Sequence, residues 1–328
     1  MNSTSTKSSS SNLSDGSHLF SQQHPGKILW NPHTIESPGS NACIRLSKLA
    51  EKKRWNPDTD IDWTSDTIRE QFPCQKAADP LVGFSEYEKL PLNKKLQISW
   101  QRHSMEISEI LHGEQLAMLC ASQLITLMPC MESRLFASRQ AADEARHIEF
   151  FKTYMNTLDL TIHQPSPAIK ALSIEALESP LWEVKLLICQ ILIESLAMAQ
   201  FSHLSHTSLV PALRQGLRRI MDDEARHVRF GTDYLAGWFR HHTSEQSGYY
   251  GQYLVDQALK LASSDNLSVT IGKPLGWDIR ELRRHLRQHR VNNPAFIHQR
   301  FRQLSINIKA IGMMDNKLEQ RLLRFSGR

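Results

Sequence analysis

Apolar side chains recur three and four positions apart through residues 92–127, 132–157, 180–206 and 209–240, the spacing of helices that turn one face to a core. Weaker stretches of the same period lie at 168–178, 246–264, 278–290 and 294–310. Nothing between 92 and 240 alternates long enough to make a strand. The pattern therefore predicts an all-α fold with four long helices at its centre. The chain before residue 92 reads differently: Asn31-Pro32, Ser37-Pro38-Gly39 and Trp55-Asn56-Pro57 each favour a turn. Residues 17–91 are expected to be irregular, with one short helix around 64–72 capped by Asp62 or Thr64. The alternation Asp58, Asp60, Asp62 starts like a calcium loop. No Gly holds its sixth position and Arg69 stands where the closing Glu belongs, which excludes calcium. Residues 1–16 are Ser-rich, with neither a basic nor an apolar leader stretch, and are expected to form a disordered tail. Four units follow: the tail at 1–16, the irregular segment at 17–91, a helical bundle at 92–240 and a basic helical extension at 241–328 packed on the bundle.

The four long helices are two copies of one hairpin. Residues 114–154 align with 194–234 at a constant offset of 80, without a gap, and 15 of the 41 positions are identical. The matches concentrate in two blocks. Glu114-Gln115-Leu116-Ala117-Met118 faces Glu194-Ser195-Leu196-Ala197-Met198, and Asp143-Glu144-Ala145-Arg146-His147 faces Asp223-Glu224-Ala225-Arg226-His227. Glu144 and His147 are three apart, as are Glu224 and His227, so each pair leaves one face of its helix as neighbours. Glu114 and Glu144 have Pro129 at their midpoint. A hairpin folded there sets both at one height, each ~15 residues or ~22 Å from the turn. Glu194 and Glu224 repeat this about residue 209, with Pro211 just beyond.

Packed together, the two hairpins bring four carboxylates and two imidazoles to one level. Their flanks are apolar, Leu111, Met118, Ala137 and Phe151 in one copy and Ile191, Met198, Leu217 and Ile220 in the other. Such groups cost several kcal/mol each to bury unpaired. Two divalent cations balance the four carboxylates, and oxygen-rich ligation with two imidazoles suits iron or manganese better than zinc. The remaining composition removes rivals. The five cysteines form no C-x-x-C pair, which argues against a cluster, a Cys-rich zinc site or a disulfide scaffold. No glycine-rich nucleotide motif is present. The apolar run Leu181–Phe201 is broken by Glu183, Lys185, Gln190 and Glu194, so no membrane span is expected. Hydrophobic residues at 40% and charged residues at 22% rule out disorder over the whole length.

Paired carboxylate and Glu-x-x-His helices are the ligand pattern of ferritin-like di-iron proteins. Two D-E-A-R-H motifs, each following a lone Glu by 30 residues, make the chain resemble the di-iron oxygenase branch, and the whole layout is most similar to aminobenzoate N-oxygenase-type proteins. The resemblance implies a ferritin-like four-helix bundle with added N- and C-terminal helices. It also implies an O2-activating centre of two iron ions, or manganese and iron, ligated by Glu114, Glu144, His147, Glu194, Glu224 and His227. Asp143 and Asp223 are expected behind them, each accepting the free ring N–H of the other hairpin's histidine. Arg146 and Arg226 point away from the metals and are expected to pair with those aspartates, and Tyr154 and Tyr234 are expected to be structural. The resemblance carries an additional His one helical turn before the last Glu, where this chain has Ile220. That departure leaves N-oxidation, C-oxidation and desaturation open.

The implied partners are a small organic substrate, O2 and an external reductase or ferredoxin. A homodimer stays open as the assembly, and the free cysteines suit a cytoplasmic setting. Residues 277–328 carry 12 Lys and Arg against 4 Asp and Glu, within a net charge of +5 for the chain. The dense Arg280–Arg290 stretch reads as a solvated helix face, and no nucleic-acid partner is expected. Two other readings are iron storage by a ferritin-like bundle and tRNA hydroxylation through that basic stretch. The length beyond a compact storage bundle favours an enzyme with a substrate pocket.

Overall fold

The computed structural model describes residues 40–64, 69–240, 242–263, 268–292 and 294–325. The Ser-rich tail and residues 65–68 of the expected short helix lie outside the described residues, and the described remainder of that stretch, Thr64 and residues 69–72, is turn and bend rather than helix. Helices follow one another as α1 (Ser40–Lys52), α2 (Pro57–Asp60), α3 (Ser85–Glu88), α4 (Leu92–Leu127), α5 (Met131–Thr157), α6 (Pro167–Glu178), α7 (Trp182–Leu186), α8 (Glu194–Thr207), α9 (Pro211–Phe239), α10 (Ser244–Ala262), α11 (Ile279–Asn292), α12 (Pro294–Ile311) and α13 (Asn316–Phe325). Among the described residues the only β pairing is an isolated bridge between Cys74 and Ser208.

Local chemistry explains the breaks. Pro129 follows α4, and Pro211 opens α9 where its missing N–H costs nothing. Ser166 caps α6 by accepting from the Ile169 amide, with Pro167 in the first turn, and Thr243 and Gln246 form a reciprocal capping box on α10. Buried Lys185 closes the other end of α6, its ammonium donating to the Ala176 and Leu177 carbonyls at 2.7 and 3.3 Å and to Gln123 Oε1 at 2.5 Å. A cation at a helix C-terminus satisfies orphan carbonyls and opposes the negative end of the dipole.

α4 and α5 form one hairpin, α8 and α9 the other, and α5 meets α9 across the bundle. α1 lies on α5 and α9, and α12 crosses α8 and α9. Two apolar clusters fill the bundle. One holds Leu116, Phe136, Ala137, Ile191 and Phe230, and the other Ile107, Leu111, Phe150, Phe151 and Ile220. On α4, α5 and α9 the sequence passes from one cluster to the other through a carboxylate, and on α8 Glu194 is followed by Leu196 of the first cluster and Phe201 of the second. The polar groups therefore form a layer between two dry ones.

The repeat is not packed symmetrically. Phe136 stacks on Phe230 at 4.1 Å, but its repeat mate is Gly216, where a Cβ would lie 2.0 Å from the Phe150 ring. Phe150 takes that space instead, against Trp55 and Trp63. Trp182–Thr207 is apolar enough by length and composition to cross a membrane (mean hydropathy 1.6), yet 78% of that window is buried inside the fold. α11 puts Leu282 and Leu286 into a third apolar cluster with Leu81, Phe84 and Tyr87. Arg280, Arg283, Arg284 and Arg287 are exposed on its outer face, and the Arg290 side chain lies outside the described residues.

Candidate metal centre

Helices α4, α5 and α9 deliver their carboxylates from the interior, and α8 delivers its own from the first residue. α4 carries Glu114, α5 Glu144 and His147, α8 Glu194, and α9 Glu224 and His227, none more than 5% exposed. Their donor atoms converge into two groups. Glu114, Glu144, His147 and Glu224 form one and Glu144, Glu194, Glu224 and His227 the other, the donors in each within 4.8 Å of one another. Glu144 and Glu224 belong to both. Glu144 reaches His147 Nδ1 with Oε2 at 3.1 Å and His227 Nδ1 with Oε1 at 3.1 Å. Glu224 does the same in reverse, Oε1 at 3.2 Å from His147 Nδ1 and Oε2 at 3.3 Å from His227 Nδ1. Each shared carboxylate thus spans both groups with its two oxygens.

Behind the imidazoles the two halves cross over. His147 Nε2 meets Asp223 Oδ2 at 3.1 Å and His227 Nε2 meets Asp143 Oδ2 at 3.2 Å, each aspartate lying on the opposite hairpin. An imidazole donating from Nε2 to a carboxylate keeps its Nδ1 lone pair for a cation. Arg146 and Arg226 complete the lattice. Each guanidinium pairs with the aspartate of its own helix and with that of the other, at 3.1 Å for Arg146–Asp223 and 3.3 Å for Arg226–Asp143.

The turn-rich segment before α4 adds a residue that no motif marks. Trp55 Nε1 donates to Asp223 Oδ2 at 2.8 Å, and its ring stacks beside His147 and under the Arg146 guanidinium. Only its isolation as a large apolar residue among turn formers hints at burial. Gln140 is the second such residue. Its Nε2 donates to Glu194 Oε1 at 2.9 Å and lies 3.3 Å from Glu144 Oε1, while its Oε1 accepts from Gln190 Nε2 at 3.0 Å. Gln190 sits in a π-helical stretch, Leu187–Ile193, that runs directly into Glu194. Gly231 on α9 admits that bulge, because a Cβ there would come within 2.6 Å of Gln190 Cβ.

Buried charge sets the proton balance. Desolvation raises Glu114 and Glu194 well above the usual carboxylate range, although His147 and His227 respectively pull the other way. Burial opposes charge on His147 and His227 too, yet Glu114 and Glu144 outweigh it and hold both imidazoles well above their usual range. Burial also resists ionisation of Glu144, but the two histidines keep it low. Protons and cations therefore compete for the same donor atoms of this layer. Glu194 Oε2 is buried with no hydrogen-bond partner, a cost that a cation beside it removes. The donor set therefore fits two divalent ions.

A cavity of about 320 Å³ opens between α4 and α8 and touches Glu114, Glu194 and Glu224. Its walls are mainly apolar, with Glu106, Gln200 and Arg300 at one part and Glu109 and Ser166 at another. Farther out, Tyr154 hydrogen-bonds buried His103 at 2.7 Å, and Tyr234 packs on Trp182.

No curated protein matches the chain. Among solved structures it is similar to a tyrosine-to-phenylalanine variant of an R2-like ligand-binding oxidase with anaerobically reconstituted Mn/Fe cofactor. The TM-score is 0.59 at 16% identity, covering 89% of this chain and 100% of that one. A valine-to-leucine variant of an R2-like ligand-binding oxidase, likewise with anaerobically reconstituted Mn/Fe cofactor, aligns with a TM-score of 0.56 over the same shares at 16% identity. These likenesses place the fold among ferritin-like helical bundles. Residues 39–270 match the family described as P-aminobenzoate N-oxygenase AurF, a span that takes in α1, the whole bundle and α10. On that match the chain belongs to the p-aminobenzoate N-oxygenase AurF family.

Proposed function

We propose that this chain is an O2-activating di-metal oxygenase whose Glu114, Glu144, His147, Glu194, Glu224 and His227 hold two iron ions, or manganese and iron, beside a small-molecule pocket. The observation that carries the assignment is the pair of donor groups sharing Glu144 and Glu224. Each cation would take one imidazole Nδ1, one unshared Glu and an oxygen from each shared carboxylate. Oxygen-rich ligation of this kind suits iron and manganese. Once bound, the reduced metals supply the electrons that activate O2, chemistry that belongs to the cofactor.

The protein's own residues do the rest. Asp143 and Asp223 hold the imidazoles in one tautomer, and the Arg146–Arg226 lattice holds the aspartates. Apolar layers on both sides exclude water. Glu114, Glu194 and Glu224 border the cavity, so an organic molecule there lies against the open side of the centre. A cavity of this kind favours substrate oxidation over iron storage. Electrons come from a separate reductase or ferredoxin, because the chain has no flavin, nicotinamide or cluster motif. The family name makes aryl amines the first substrates to try.

The test is anaerobic loading with Fe(II), metal analysis, then 18O2 with a chemical reductant and a panel of aryl amines, fatty acids and tRNA. Two metals per chain and label in a small-molecule product are expected. Retained metal with no O2 consumed, or no retained metal, would contradict the reading.

A further inference from the structure

Gly113 is the only glycine in α4, and it sits in the middle of a 36-residue helix, next to Glu114. Glycine is a poor choice there, because it weakens a helix interior relative to alanine. Most interior glycines have a packing reason, and two in this bundle do. A Cβ at Gly216 would collide with Phe150 and one at Gly231 with Gln190. Gly113 has no such reason. A Cβ built on it meets nothing within 4 Å, and its φ is not positive. The open space is the cavity, which Gly113 lines between Ile110 and Ala117, its neighbours on the same face of α4. Ala197 on α8 lines the same cavity, so small residues from both helices border the part that reaches Glu114 and Glu194.

We infer that Gly113 is a specificity-determining residue, keeping the metal-facing end of the cavity wide enough for a ring-sized substrate. This rests on the oxygenase reading above and names the bulk that site admits. A Cβ at 113 would enter the space the substrate needs without meeting protein.

The test uses full-length wild type, Gly113→Ala and Gly113→Leu, each with and without iron. Iron content and Tm are read first. Binding of a graded arene series (aniline, 4-ethylaniline, 2-aminonaphthalene) is then measured by calorimetry. Gly113→Ala should raise Tm by about 2 °C, because a better helix former enters open space. Both variants should keep the wild-type iron content. Gly113→Leu should weaken 2-aminonaphthalene at least tenfold and aniline less, with Gly113→Ala between. Equal affinities of wild type and Gly113→Leu for every arene would overturn the inference. So would a wild type that takes none of them, or a fall in Tm for Gly113→Ala. Loss of iron in wild type with the size dependence intact in metal-free protein would strike the oxygenase reading and leave the role of Gly113 standing.

Discussion

Gln140 and Ile220 occupy the same position in the two halves of the repeat, four residues before Glu144 and Glu224. Gln140 ties Glu194 in place from one side. Ile220 is fully buried in an apolar cluster, and among the described residues Glu114 is hydrogen-bonded by His147 alone. The two sites are therefore unequal: both border the cavity, but only the Glu194 side is braced by a glutamine. Gln140→Leu should weaken metal binding by about 10–100-fold, mostly at the Glu194 side, with little loss of helix content. Titration of metal-free protein with Fe(II) followed by calorimetry checks this, and an unchanged isotherm would remove Gln140 from the account.

Glu183, at the start of α7, offers a test away from the centre. Burial raises its carboxyl to about 7 from an ordinary value near 4.5. Between those values the folded protein keeps a proton that the unfolded chain releases. The stability this confers is complete below the unfolded value and is lost as pH rises through 7. Glu183→Gln, isosteric and neutral, should leave stability at pH 5 nearly unchanged and raise it at pH 8.5. The gain is about 1–3 kcal/mol, at ~1.4 kcal/mol per pH unit of linkage. Urea unfolding at the two pH values decides it, and a larger gain at pH 5 would be the wrong sign.

Among the elements, the long helices were readable because their apolar period is strong and proline stops each hairpin. Helix α1 was not. Its buried face is built from Cys43, Ser47 and Ala50, too weak a stripe to stand out beside Pro38-Gly39. The π-bulge at Leu187–Ile193 was equally hidden, since no local residue choice announces an extra residue in a helix. Its support is tertiary, from Gly231. Gly231→Ala should therefore push Gln190 away and relax the bulge, destabilising the fold by about 1–3 kcal/mol as overpacking does. Thermal unfolding would show it. Gly113→Ala, in open space, should not, and the pair separates glycines kept for packing from the one kept for the cavity.

At the scale of the whole molecule, the six donors were legible before any coordinates because duplication wrote them twice in the same phase. That Glu144 and Glu224 each reach both histidines was not, and neither were Trp55, Gln140 or the cavity. Those depend on which side chains meet across the bundle, and one sequence does not encode that in any spacing. The polar layer between two apolar clusters gives a global expectation. Cations that bind the folded layer and not the unfolded chain should stabilise the fold by RT ln(1 + [L]/Kd), or about 4 kcal/mol at a thousandfold excess over Kd. Fe(II)-loaded protein should accordingly melt several degrees above metal-free protein, and identical melting curves would mean that the layer holds no metal.

The most direct measurement is anomalous diffraction at the iron edge from crystals of anaerobically loaded protein. Two peaks are expected, one beside His147 and Glu114 and one beside His227 and Glu194, with Glu144 and Glu224 between them. A single peak, or peaks away from the Glu144–Glu224 pair, would contradict the shared-carboxylate centre.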